Sequence, residues 1–419
     1  MNFQQLIDYF RPTHVRQVKS GTFLRTRDKR RFKKTIVEHG VTIPFSKRNP
    51  AIQSNISNEI AHTEPKSIGS KAALAENWLA GNLEIPPIGY ELLKDAKVFG
   101  GRITERGPGW HKSGQLVLTR KNEIVHSALG LMDGHPTYPA NLCHPVKNGY
   151  QMSNTHHLKY LPGVYYLVGN VHYHFGHVVL EGLTRLWAMS FFPQYQKQLW
   201  YIVYESEIDG YAQDLLSLVG VSKDKIIFMT EPIVVETLIV PDAAMCTHSW
   251  LSTLQIGVWD KIRMSVKSGD ANRKVFFSRR NVSDRPVSNQ DDVEDHFRSL
   301  GYEIVSPERL SVYEQVKLAA ESQSIAGFVG SQMFLCAFQS RGARNFIIAP
   351  RNFFLQDDVL IAECTGKTLQ VIFGTSIDFT VPKNQSVWSV DIERLREATK
   401  SLETESRNEV QHFAVANER

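Results

Sequence analysis

From about residue 85 onward, short apolar runs alternate with polar stretches, and the runs have strand length rather than membrane-spanning length. Lys97–Ile103, Gln115–Thr119, Val164–Val168, Leu199–Tyr204, Ile226–Met229 and Thr237–Val240 read as strands. Apolar residues three and four apart predict helices over 176–190, 211–219 and 243–268. A polar joint follows at Lys267–Asn272, and after it the pattern is at its most regular. Strand Val275–Ser278, helix Asp291–Leu300, strand Tyr302–Val305, helix Val312–Ser322, strand Ile325–Val329, helix 332–340 and strand Asn345–Ala349 succeed one another. Ser311 is placed to cap the second of these helices. Strands alternating with helices of this length make a parallel sheet with a site at the strands' carboxyl ends. Residues Ser389–Glu403 put Ile392, Leu395, Ala398 and Leu402 on one face of an amphipathic helix, with Ser389 as its cap.

This pattern divides the 419 residues into an extension and linker over 1–80, an α/β half over 81–268, a second α/β half over 269–385, and a terminal helix and tail over 386–419. Two such halves imply a cleft between them. Asn49–Lys71 has no clear period and reads as a linker.

Charge sharpens the picture of the first segment. The chain carries a formal +5, yet residues 11–48 hold twelve Lys or Arg against Asp28 and Glu38, so everything from residue 49 onward is slightly acidic. Such a segment suits an anionic membrane surface, or simply solvation; it has no recognised nucleic-acid fold. No apolar run nears the roughly 18 residues of a spanning helix, and Met1–Asp8 shows no signal-peptide pattern. Four scattered cysteines, Cys143, Cys246, Cys336 and Cys364, suit free thiols in a reducing compartment. A cytoplasmic protein, peripheral at most on the inner face of a membrane, is expected.

Candidate chemistry is densest between Asn170 and Arg185, where His172, His174 and His177 crowd six residues. On a helix, His177, Glu181 and Arg185 stand at i, i+4 and i+8, drifting only about 80° around the axis. A carboxylate one turn from an imidazole can fix its tautomer and raise its basicity, as a general base needs. The same spacing also fits a solvated polar face, or weakly a metal pair of His174 and His177. A second cluster, Arg279, Arg280 and Arg285, follows a strand, and guanidinium forks suit phosphate oxygens. The Gly330-Ser331 turn, where a strand ends and a helix begins, could hold an anion on backbone N–H groups. No dinucleotide fingerprint, P-loop, nucleophile elbow or Asp-x-Asp pair is present, which leaves an anion site built without metal or cofactor.

Taken in order, these segments resemble glycosyltransferase family 61 of the bacterial surface-polysaccharide kind. The resemblance rests on His177 to Leu186, on Ser278-Arg279-Arg280 with Arg285 and Asn289, on Gly301 to Val305 with Pro307, Glu308, Leu310, Ser311, Glu314 and Gln315, and on the Gly330-Ser331 turn. It covers about residues 160–350. It implies two Rossmann-like doubly wound halves in a GT-B arrangement, and inverting, metal-independent transfer from a nucleotide sugar to a glycan or lipid-linked glycan acceptor. Carried onto this chain, it makes His177, Glu181 and Arg185 the catalytic candidates, the first two as the base. Asn170, His174, Arg279, Arg280, Arg285, Asn289, Gly330 and Ser331 become substrate or nucleotide candidates. His174 competes with His177 for the family's His position, but only His177 sets Glu181 and Arg185 at the family spacing. At the turn, Met333, Phe334 and Leu335 stand where the family has polar or small residues, and read as core. A catalytically silent relative that binds glycan or nucleotide in an assembly complex is the alternative.

Overall fold

A computed structural model describes residues 16–26, 34–44, 82–100, 115–132, 134–139, 141–170, 174–195, 198–204, 210–229, 231–350, 353–376 and 386–400. Two compact units emerge: residues 1–43 with 83–267, and residues 44–82 with 268–419. Both are mixed α/β. Among the described residues no helix is long and apolar enough to cross a membrane.

The first unit is organised on a twelve-stranded mixed sheet. One end of it is made of β1 (Ile88–Phe99), β2 (His156–Asn170), β3 (Trp200–Tyr204), β4 (Ile226–Met229) and β5 (Ile233–Pro241). They stand in the order β1-β5-β2-β3-β4. β5, β2, β3 and β4 run parallel, whereas β1 is antiparallel to β5. Val98, Val117, Leu167, Ile202, Val235 and Leu238 form one continuous core on this sheet. Helices α1 (Gly210–Val219) and α2 (Thr253–Ser265) belong to the same unit. Ser252 caps α2 by accepting the Leu254 N–H at 3.0 Å. The expected helix over 243–268 therefore starts a turn and a short hairpin later, after Met245–Cys246 pairs with Trp250–Leu251.

The parallel block is only four strands wide, so the doubly wound sheet expected for this half is replaced by a mixed one. Beyond β1 the sheet continues through short, mostly antiparallel strands at 116–118, 123–124, 23–26, 149–152 and 143–146. The cause is legible in β1, where Leu92 and Lys94 are exposed while Leu93 and Ala96 are buried. A strand with one wet face belongs in an antiparallel region rather than under helices on both sides. The basic segment differs from expectation as well. Arg16–Val18 pairs with the start of β2, Thr35–Glu38 pairs with β1, and Val18 and Leu24 are buried. These stretches are strands of the first unit; positions 1–15, 27–33 and 45–80 of the expected extension and linker lie outside the described residues.

The second unit has one six-stranded sheet, made of β6 (Arg273–Phe277), β7 (Glu303–Val305), β8 (Ser322–Phe328), β9 (Arg344–Pro350), β10 (Thr368–Ser376) and β11 (Trp388–Ser389). Its order is β7-β6-β8-β9-β10-β11, parallel except for β11. Counted within the unit, the parallel strands run 2-1-3-4-5. Helix α3 (Gln290–Ser299) connects β6 to β7, α4 (Val312–Ala320) connects β7 to β8, and α5 (Gln356–Thr365) connects β9 to β10. The β8–β9 connection is a tight 3₁₀ segment, Ser331–Phe338. α3 and the helical residues 392–400 share one core with Phe276, Phe328, Phe346 and Trp388. α4 and α5 both contact Ser331–Phe338. Ser311 caps α4 in a full capping box with Glu314. At the terminal helix the cap is Asp391, which accepts the Arg394 N–H at 3.1 Å, because Ser389 is already used in β11.

Candidate active site

Two sets of residues meet the chemical requirements set out above, one in each unit, and each is described within its own unit.

In the first unit, the chain leaves the carboxyl end of β2, which is flanked on both sides by parallel strands, and enters the His-rich segment. Open α/β sheets collect ligand sites at such strand ends. The segment is not one regular helix. Phe175–His177 makes a single α turn, Val178–Gly182 widens to a π turn closed by the Leu183 N–H donating to the Val178 carbonyl at 3.1 Å, and Leu186–Phe191 is 3₁₀. The apolar residues Val178, Val179, Leu180, Leu183 and Leu186 are all buried and pin this shape from below. Trp259 of α2 donates its indole N–H to the Val179 carbonyl.

His177 and Glu181 stay together across the wide turn. Nδ1 of His177 lies 2.7 Å from Oε1 of Glu181, and both side chains are about one-third exposed, at 30% and 35%. The His174 ring meets that of His177 edge-on, with centroids 5.4 Å apart. Arg185 leaves this group. The π turn breaks the 3.6-residue period, so position i+8 rotates inward. Its guanidinium is buried and donates to the backbone carbonyls of Ser127, Leu129 and Pro241 at 2.8–3.4 Å. Arg185 is thus a strut joining the end of β5 to the 3₁₀ turn at 126–129, and the expected His–Glu–Arg stripe reduces to a His–Glu pair. Asn170 ends β2, with its side chain outside the described residues, as is all of His172.

In the second unit the sheet order fixes where a ligand belongs. Connections leave β6 toward β7 and β8 toward β9, in opposite directions, so β6 and β8 flank the topological switch point. The segment after β6 carries Arg279 and Arg285, and the segment after β8 carries Gly330 and Ser331. The structure therefore brings together four of the residues expected for an anion site.

Their surroundings are those of cations short of counter-charge. Arg279 is 6% exposed. Nη2 donates to the Asp284 backbone carbonyl at 2.8 Å and Nη1 to Oε1 of Gln332 at 3.2 Å, while its buried Nε has no partner. Burial, and then the neighbouring guanidinium of Arg285, push its pKa down to about 10. Arg285 is half-buried, also lowered by burial, and its Nε is likewise unpartnered. Its guanidinium lies 4.2 Å from the Phe353 ring centroid. It also holds φ +54°, a left-handed conformation that a non-glycine residue adopts at a cost. Among the described residues neither guanidinium has a carboxylate at ion-pair distance. Gly330 completes the arrangement by close approach, since a side chain there would run into Nη1 of Arg279.

Two further candidates serve the fold instead. Arg280 pairs with Asp291 and with the fully buried Glu294, whose carboxylate also accepts from Ser278 and Gln290. Asn289 clamps Val390, donating to its carbonyl at 2.8 Å and accepting its N–H at 3.0 Å. Sequence reasoning missed Gln332 and Phe353, which orient Arg279 and Arg285; neither sits in a spacing pattern that announces such a role. Met333, Phe334 and Leu335 are buried core, as their character suggested. Among the described residues no group of three or more His, Cys, Asp or Glu is set to hold a metal ion.

Residues 175–345 match the family model of glycosyltransferase 61, a stretch that contains both the His–Glu pair and the arginine cluster. No curated protein matches the chain.

Proposed function

We propose that this chain, whose residues 175–345 match the glycosyltransferase 61 family model, is a glycosyltransferase that transfers a sugar from a nucleotide-sugar donor to a glycan acceptor with inversion and without a metal. One observation carries the donor assignment. Arg279 and Arg285 are desolvated cations with unpartnered Nε groups at the switch point of a parallel sheet, an arrangement that a diphosphate would neutralise. In this reading the second unit takes the nucleotide and the first unit supplies the base.

The chemistry is a single displacement. His177 takes the proton of the acceptor hydroxyl, the resulting oxygen attacks the anomeric carbon, and the bond from that carbon to the diphosphate oxygen breaks. The nucleoside diphosphate leaves with the bonding pair. Its developing charge falls on Arg279 and Arg285 and on the backbone at Gly330-Ser331, where fixed donors act without a metal. Glu181 acts through His177 as a positioning residue. The acceptor we assign is a growing surface glycan on the cytosolic side; the four free thiols suit that compartment. The basic N-terminal segment would then draw the enzyme to anionic headgroups.

Transfer or donor hydrolysis with a panel of nucleotide sugars in a chelator tests this reading, alongside His177→Ala and Arg279→Ala. Turnover that resists the chelator and falls in both variants supports it. No turnover with any donor, together with unchanged donor binding in both variants, would sink it.

A further inference from the structure

At the carboxyl end of β5 the first unit displays apolar side chains that its core does not take. Phe191 and Phe192 are consecutive, yet Phe192 is buried and Phe191 is 44% exposed. Both rings lean on Tyr90 of β1, with centroids 6.1 and 4.9 Å away, and Trp187 meets Phe191 edge-on at 6.0 Å. Leu92 stands two residues after Tyr90, hence on the same face of β1, and is 52% exposed. Lys94, the next residue on that face, is also exposed and donates to Oγ1 of Thr237 at 2.6 Å. The result is an apolar surface of Tyr90, Leu92 and Phe191 with a lysine at its edge. Apolar residues exposed singly need no explanation, but a contiguous group rimmed by polar residues marks an interaction surface.

Charge says what kind of partner it fits. Thr35 pairs with Tyr90, so the chain arrives at this surface directly from the basic segment, whose residues 25–34 hold seven Lys or Arg against Asp28. The acid that borders the rings, Asp242, is neutralised: Lys34 pairs with it, and its carboxylate accepts the Gly89 N–H at 2.7 Å. The Asp242 backbone carbonyl accepts the Trp187 indole N–H at 2.9 Å, which fixes the aromatic group to the strand end. Rings and a leucine joined to a strongly cationic stretch match a bilayer with anionic headgroups. The cations meet phosphate, and the apolar side chains enter the boundary with the acyl chains. A second copy of this chain would instead set like charges against each other.

We propose that Tyr90, Leu92 and Phe191 form the face by which the first unit enters an anionic membrane surface, with Lys94 and the basic segment holding the headgroups. The inference deepens the membrane part of the proposed function, which rests on charge alone, and uses no property of donor or acceptor. The stretch that carries His177 and Glu181 runs directly on to Phe191, so docking of this face is docking of the segment that supplies the base.

Co-sedimentation of the full chain with phosphatidylcholine vesicles, with and without about one-third phosphatidylglycerol, tests it in wild type, Leu92→Gln, Phe191→Ser and the double variant. Leu92 stands half in solvent, so Leu92→Gln is expected to keep the fold even if Phe191→Ser does not, and thermal melts confirm which variants are folded. Wild type is expected to pellet with the anionic vesicles and not with phosphatidylcholine alone. Part of that binding is expected to survive about 0.5 M salt, because apolar insertion is not screened. Each single variant is expected to bind several-fold more weakly, and the double variant at least about tenfold more weakly with no salt-resistant binding left. Folded variants that pellet like wild type would overturn the apolar face and leave an electrostatic attraction alone. Failure of wild type to pellet with either vesicle would remove the membrane role altogether. Self-association of wild type that Leu92→Gln abolishes, with vesicle binding unchanged, would assign the face to a second copy instead. None of these readouts involves a nucleotide sugar, so the transfer reading is judged separately.

Discussion

Nδ1 of His177 and Oε1 of Glu181 lie 2.7 Å apart on a turn wider than an α-helix. The carboxylate accepts a hydrogen bond from the Nδ1–H, which assigns the lone pair of the neutral ring to Nε2. It also stabilises the imidazolium formed once an acceptor proton arrives there. Geometry alone therefore gives the two residues different tasks, one exchanging the proton and the other holding the ring.

Substitutions should separate these tasks. His177→Ala is expected to lower kcat by about 10²–10⁴, the range of a lost general base. Glu181→Gln can still accept the Nδ1–H hydrogen bond but carries no charge, and Glu181→Ala can offer neither. The expected order of kcat is wild type, then Glu181→Gln, then Glu181→Ala, with KM for the donor unchanged throughout. Steady-state kinetics with the donor varied check this order, and a change confined to KM would contradict it.

Arg185 leads to the opposite expectation. Its guanidinium satisfies the carbonyls of Ser127, Leu129 and Pro241 from a buried position. Removing it leaves those acceptors dry and opens a void, so Arg185→Ala is expected to lose about 3–5 kcal/mol. Denaturant unfolding should show the loss as a fall in midpoint, whereas the kcat of the protein that stays folded should hold within a few-fold.

Arg185 also shows where sequence reasoning stops. Most of the second unit's sheet was readable strand by strand, because β6, β7, β8 and β9 are short runs rich in apolar residues, the last three closed by Gly or Pro, and Ser311 with Glu314 spells a capping box. β10 and α5 were missed: α5 buries nearly all its residues, including Asp357 and Asp358, and so has no amphipathic period. The first unit was less readable. Its strands at 16–18 and 23–26 are short and set among charges, and tertiary pairing rather than pattern makes them strands. At the site, spacing placed His177 with Glu181 correctly but assumed a uniform 3.6-residue turn through Arg185. Likewise, a run of Arg279, Arg280 and Arg285 reads as one cluster, yet the buried Glu294 that claims Arg280 lies a helix away in sequence.

Gly330 should matter through both conformation and contact. Its φ of +159° lies where L side chains are rarely found, and an added Cβ would meet Nη1 of a guanidinium that is buried and cannot easily swing aside. Gly330→Ala is therefore expected to weaken pyrophosphate and nucleotide binding by at least tenfold and to lower the melting temperature. Calorimetry on the variant checks this, and undiminished binding would mean that Arg279 is free to move.

Arg279 itself should trade stability against binding. Burial and Arg285 lower its folded pKa to about 10, well below the ordinary arginine range. A base with a depressed pKa binds its proton less tightly when folded. The penalty is therefore fully present below pH 10 and is relieved only as the pH rises above 10. At neutral pH it is constant, on the order of 3 kcal/mol, and two changes can remove it. One is a bound polyanion: pyrophosphate is expected to raise the melting temperature of wild type, by RT ln(1 + [L]/Kd) in free energy. The other is loss of the charge: Arg279→Met is expected to melt higher than wild type in phosphate-free buffer, to gain nothing from pyrophosphate, and to bind no donor. Thermal melts of both proteins with and without pyrophosphate read all three effects, and a variant less stable than wild type in the absence of anions would show that Arg279 is a structural residue.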